Sequence, residues 1–121
     1  LSAFDVRFIA IDRPKWGGKQ SLAQAIPNGI FAPMAQVQQT IENSRDVPIY
    51  VYIEPWPECF ELEKGDKLTL IWDAPEKGDV CNVDFISENE LNIWPEGQVD
   101  NLQILFNGAT STGLSWKFRH R

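Results

Sequence analysis

From Ile49 onward, apolar and polar residues alternate with a period of two, the pattern of strands that bury one face. Ile49, Val51 and Ile53 share one side of such a strand, with Tyr50, Tyr52 and Glu54 on the other. Phe60 and Leu62 oppose Cys59, Glu61 and Glu63, while Leu68, Leu70 and Trp72 oppose Lys67, Thr69, Ile71 and Asp73. The alternation predicts further strands at Val80 to Ser87, at Glu90 to Trp94 and around Leu102, Ile104 and Phe106. A last strand is expected at Leu114, Trp116 and Phe118. Turn-forming residues punctuate the series: Gly65-Asp66, Ala74 to Asp79, Glu88-Asn89, Pro95-Glu96-Gly97 and Asn107-Gly108. The organising unit is 54–72, where a stiff Pro55-Trp56-Pro57 corner and the Gly65-Asp66 turn set two strands on one core.

Before this region the pattern is less regular. Phe4 to Asp12 reads as a strand ended by Arg13-Pro14, and 13–33 is a long connection without a clean period. Its Trp16, Ile26, Ile30 and Phe31 are too apolar for a solvated linker, so it is expected to pack on the body, with a single helical turn over Ser21 to Ile26. Residues 33–44 fit a helix with Pro33 at its first position and a Met34, Val37, Ile41 stripe. They also fit a strand, which the β-branched residues favour, forming a hairpin of 35–42 with 49–54 through the Asn43-Ser44-Arg45-Asp46 turn. About seven to nine short strands with turns at such spacing predict an all-β domain, an antiparallel β-sandwich or jelly-roll-like barrel. One domain is expected over 1–121, with 1–45 leading into a β core at 46–121.

Composition changes this picture little. Apolar residues make up 43% and charged residues 23%, which argues for a folded globular chain. No apolar run approaches the roughly 18 residues that span a bilayer. The first residues lack a signal-peptide pattern, and a cytoplasmic location is expected. Because the chain starts at Leu1, that expectation also leaves room for a removed targeting segment.

Charge is informative in its distribution. The net −6 combines a middle that sets fourteen acids against Lys64, Lys67 and Lys77 with two basic ends, the second carrying Lys117, Arg119 and Arg121. An acidic middle repels phosphate backbones, so no nucleic-acid partner is expected. The basic ends are expected to pack beside the acidic middle.

Few residues offer chemistry. Cys59 and Cys81 fall on opposite strand faces, Cys81 inward and Cys59 outward, which predicts two thiols rather than a disulfide. His120 is the only histidine and sits at a basic end where solvent exposure is the default. With no His-x-His cluster, neither a metal set nor a cofactor is expected. The chain has no Gly-rich phosphate loop and no nucleophile elbow. Carboxylate pairs (Glu54 with Glu58, Glu61 with Glu63, Asp79 with Asp84) could serve as acid and base in a hydrolase. On alternating strands such pairs ordinarily form a solvated face.

The aromatic residues carry the sharper expectation. Tyr50 and Tyr52 share the outer side of their strand, Trp56 follows at the corner, and Trp94 lies opposite its own strand's better apolar set. Either this side is buried by the 13–33 loop, or it is an apolar surface rimmed by Glu54 and Glu58 that meets a partner.

The run from Ile49 to Leu70, an Ile/Val-rich strand ending in Glu54-Pro55-Trp56 and leading to Leu62-Glu63-Lys64-Gly65-Asp66, resembles a pattern in small uncharacterised bacterial β proteins. Asn92 to Gly97 is similar to a later element of the same proteins. The resemblance covers 46–108, implies a compact β sandwich of bacterial origin, and brings no catalytic residues. The expectation is therefore a non-enzymatic interaction or accessory module that self-associates, or binds another protein, through Tyr50, Tyr52, Trp56, Trp94, Glu54 and Glu58. The alternative is a β-sandwich that binds a small ligand or carbohydrate. A hydrolase with paired carboxylates comes third.

Overall fold

The structure, a computed structural model, describes residues 6–12, 23–25, 31–56 and 58–120, with side chains from Met34 onward. Its strands are β1 (Val6–Asp12), β2 (Ala23–Ala25), β3 (Phe31–Asn43), β4 (Ile49–Ile53), β5 (Glu58–Leu62), β6 (Lys67–Pro75), β7 (Cys81–Ser87), β8 (Glu90–Pro95), β9 (Gln98–Phe106) and β10 (Ala109–Thr110). They form two sheets packed as a sandwich. The larger runs β1-β3-β6-β9-β10, with β2 paired to the start of β3, and the smaller runs β5-β4-β8-β7.

Alternation explains the core. Val37 and Ile41 of β3 and Leu68, Leu70, Trp72 and Ala74 of β6 line the inner face of the large sheet. Ile49, Val51 and Ile53 of β4, Phe60 and Leu62 of β5, and Leu91 and Ile93 of β8 supply the facing layer. Register keeps like with like: Ile41 opposes Leu68, which opposes Phe106. Gln39, which shares the inward side of β3 with Val37 and Ile41, accepts a hydrogen bond from the Cys81 thiol of the other sheet at 3.1 Å.

Several expectations are corrected. Residues 33–44 are strand, but β3 pairs with β1 and β6, and β4 with β5 and β8, so no 35–42/49–54 hairpin forms. The Asn43 turn carries the chain from one sheet to the other. Its fully buried side chain donates to the carbonyls of Val47 (2.9 Å) and Leu62 (2.8 Å) and accepts from the Arg45 amide (2.9 Å). Its backbone joins Asp66 and Gly65, so the polar groups of this buried corner are satisfied.

The β4–β8 ladder is parallel, from Tyr50 opposite Glu90 to Ile53 opposite Ile93, within an otherwise antiparallel fold. Ala23–Ala25, placed in the expected helical turn, is the short strand β2. The packing of the 13–33 loop falls on 13–22 and 26–30, outside the described residues. Residues 114–118 form no strand. Gly113 and Trp116 take φ values of 80° and 63°, left-handed geometry that breaks an extended run.

Candidate functional site: the outer face of the small sheet

The small sheet turns three rows of side chains away from the core. One row crosses the sheet as Glu61, Tyr50 and Glu90, the next as Cys59, Tyr52, Asn92 and Asp84, and beyond them Trp94 opposes Asn82. Residues 111–120, here called the strap, fold over the β4–β5 half of this face. The Cys59 amide donates to Ser115 Oγ (3.0 Å) and the Trp116 amide donates to the Cys59 carbonyl (2.8 Å), so the strap satisfies part of the β5 edge. The Tyr50 ring meets Phe118 edge-on at 5.2 Å, Tyr52 meets Trp116 at 6.0 Å, and Trp116 and Phe118 lie 5.7 Å apart. Such edge contacts set the positive rim of one ring against the face of the next.

Glu61 is the anchor of this contact. Its Oε1 accepts from the Arg119 amide (2.8 Å), and its Oε2 accepts from the His120 amide (3.0 Å) and the Tyr50 hydroxyl (2.8 Å). Burial pushes its carboxyl up. The hydrogen bonds from Arg119, Tyr50 and His120, with the charge of His120, outweigh that and hold it below the usual carboxylate value. Glu63 adds an ion pair with the Arg119 guanidinium at 2.6 Å and lies 3.3 Å from His120 Nε2.

The expected solvated face at Glu61 is therefore corrected: it is 7% exposed. Cys59 does point outward, yet it is fully buried beneath the strap. His120 is exposed, as expected at the basic end, while its backbone amide is tied to Glu61 of β5. The charge asymmetry was the signal for these contacts, since the basic end does pack against the acidic middle through Arg119 and Glu63.

The six residues expected to form one surface are divided. Tyr50 is buried and its hydroxyl is bound by Glu61, so it belongs to the packing. Tyr52 is half-buried and donates to Glu90 Oε2 at 2.9 Å, and Glu90 Oε1 in turn accepts from Ser87. Glu54, Trp56 and Glu58 are half-buried at the corner, where the Glu54–Pro55 bond is cis and the Glu58 amide donates to the Trp56 carbonyl. Trp94 is 44% exposed on the half that the strap leaves open. Ile86, at the β7 bulge between Phe85 and Ser87, and Trp116, on the strap, are each 52% exposed, and sequence parity alone did not single them out.

No disulfide joins Cys59 and Cys81. Among the described residues, Glu61, Glu63 and His120 form a set of side chains able to hold a metal, with ligand atoms within 4.8 Å of one another. A cavity of about 390 Å³ opens beside Glu61 and Glu63, and another of about 310 Å³ lies beside Tyr50, Glu90 and His120. No helix of the described residues is long and apolar enough to cross a membrane. Compared with protein-family models, curated proteins and solved structures, the chain matches none.

Proposed function

We propose that the protein is a non-enzymatic interaction module that self-associates through the open half of the small sheet's outer face. The observation that carries this reading is the exposure of Trp94 on the sheet face and of Trp116 on the strap beside it, with Ile86 exposed at the neighbouring β7 bulge. Tryptophan is the residue type most enriched where binding energy concentrates, and a polar rim around an apolar centre is the usual anatomy of an interface.

Charge complementarity favours a second copy as the partner. The open half carries Asp84 opposite Asn92 and Glu96 beside Asn82, whereas the strap carries Lys117 and no acid. A two-fold pairing sets the strap of each copy on the open half of the other, so every attractive contact occurs twice. Trp116 of one copy then meets Trp94 and Ile86 of its partner. Sedimentation equilibrium tests this: a dimer is expected, weakened by salt and lost in Trp94→Asp. A wild-type monomer at the highest soluble concentration contradicts it.

A second reading rests on the neighbours of Trp94. The exposed Asn82 lies opposite it and Asn92 two residues before it, an aromatic platform beside amides that suits a sugar ring. Tryptophan fluorescence titrated with a glycan panel, and changing with one of them, would favour that reading over self-association.

A further inference from the structure

We propose that Glu61, Glu63 and His120 form a binding site for a divalent transition ion of the zinc type, which clamps the strap to strand β5. The site stands independently of self-association. Its donors are one imidazole and two carboxylates, drawn from places 57 and 59 residues apart, and their ligand atoms lie within 4.8 Å of one another. An imidazole with carboxylates suits zinc, cobalt or nickel and not the all-oxygen shells of calcium and magnesium.

The lone pairs show which acceptor positions the hydrogen bonds leave open. A carboxylate offers about four acceptor positions. At Glu61, two on Oε2 are taken by Tyr50 and the His120 amide and one on Oε1 by the Arg119 amide, which leaves one on Oε1. Glu63 gives Oε2 to Arg119 and turns Oε1 toward His120 Nε2 at 3.3 Å. That separation is longer than the roughly 2.7–2.9 Å of a charge-assisted hydrogen bond. It matches the spacing of about 3.3 Å between two ligands that each sit about 2.0 Å from a tetrahedral ion.

The surroundings also fit. The Tyr50 hydroxyl orients Glu61, and the Arg119 guanidinium holds the far oxygen of Glu63, the kind of outer contacts that fix ligating carboxylates. A ligating imidazole is neutral, and with His120 in that form Arg119 set against the two carboxylates leaves a net negative charge that favours a cation. The cavities beside Glu61 and Glu63 and beside His120 leave room for water to complete the coordination. The ion would cross-link β5 to the strap and fix the ring of Phe118 on Tyr50.

The competing occupant is a proton shared by His120 and Glu63. To separate the two, the untagged, chelator-treated chain is titrated with zinc by calorimetry and with cobalt by visible absorption. One ion per chain, a cobalt ligand-field band and a higher melting temperature with zinc are expected. Glu63→Gln and His120→Gln, both at exposed or half-buried side chains, should each weaken binding by about tenfold or more, and Tyr50→Phe by a smaller factor. The proposal is overturned if wild type binds no ion, or if either Glu63→Gln or His120→Gln binds it as tightly as wild type does.

Discussion

The two halves of the small sheet's outer face begin from the same sequence rule and end in different states. On β4 and β5 the outward positions are Tyr50, Tyr52, Cys59 and Glu61, and the strap covers them. On β7 and β8 the outward positions include Asn82, Asp84, Asn92 and Trp94, and Trp94 stays exposed. Each half mixes large apolar side chains with acids, so composition does not separate them. What separates them is the geometry of their polar groups. Glu61 collects three donors, one from Tyr50 and two from strap amides, and so fixes a cover over the aromatic rings. Apolar area on this sheet face is covered where a polar anchor holds the strap above it, and stays exposed at Trp94, beyond the strap.

Substitutions test the contrast in descending order of effect. Tyr50→Ala should cost about 3–5 kcal/mol of stability, because it empties a buried aromatic site. Trp94→Ala should change stability by less than about 0.5 kcal/mol, as at most exposed positions. Urea unfolding of the pair measures both, and similar losses would erase the distinction between the halves. Glu61→Gln removes the charge that three donors share and should cost about 2 kcal/mol. Trp116→Ala, which deletes edge contacts with Tyr52 and Phe118, should cost about 1 kcal/mol.

The smallest signal is a local one. Cys59 lies beneath the strap and Cys81 in the other half of the sheet. In Glu61→Gln the thiol reagent rate should rise at Cys59 and stay unchanged at Cys81. Burial, with the charges of Glu96 and Asp79, pushes the Cys81 thiol pKa up. A folded pKa above the unfolded one lends stability at neutral pH that fades as pH rises past about 8.5. A Cys81→Ala variant should therefore show less alkaline loss than wild type.

Much of the sandwich was legible in the sequence. The strands from Ile49 to Phe106 follow from alternation and turn residues, and the inner faces of β4, β5 and β6 are those that parity assigns. Pairing was less legible. The turn at Asn43 is real, but whether a turn closes a hairpin or crosses between sheets depends on the buried contacts of Asn43 with Val47 and Leu62. The parallel ladder of β4 with β8 joins strands far apart in the chain, and local periodicity does not encode such register. The strap was misread for a related reason. Leu114, Trp116 and Phe118 alternate as a strand does, but left-handed φ values at Gly113 and Trp116 prevent extension, and Trp116 and Phe118 pack on the tyrosines of a sheet face. Parity gave the side on which Glu61 and Cys59 lie, and only the strap decides that this side is buried.

Native-state amide exchange at Trp116, Arg119 and His120 tests the central claim most directly, since their amides donate to the Cys59 carbonyl and the Glu61 carboxylate. The account predicts that all three exchange far more slowly than in a free peptide, and that Arg119 and His120 lose most of this protection in Glu61→Gln. Exchange at the free-peptide rate in wild type would contradict a strap held on the sheet.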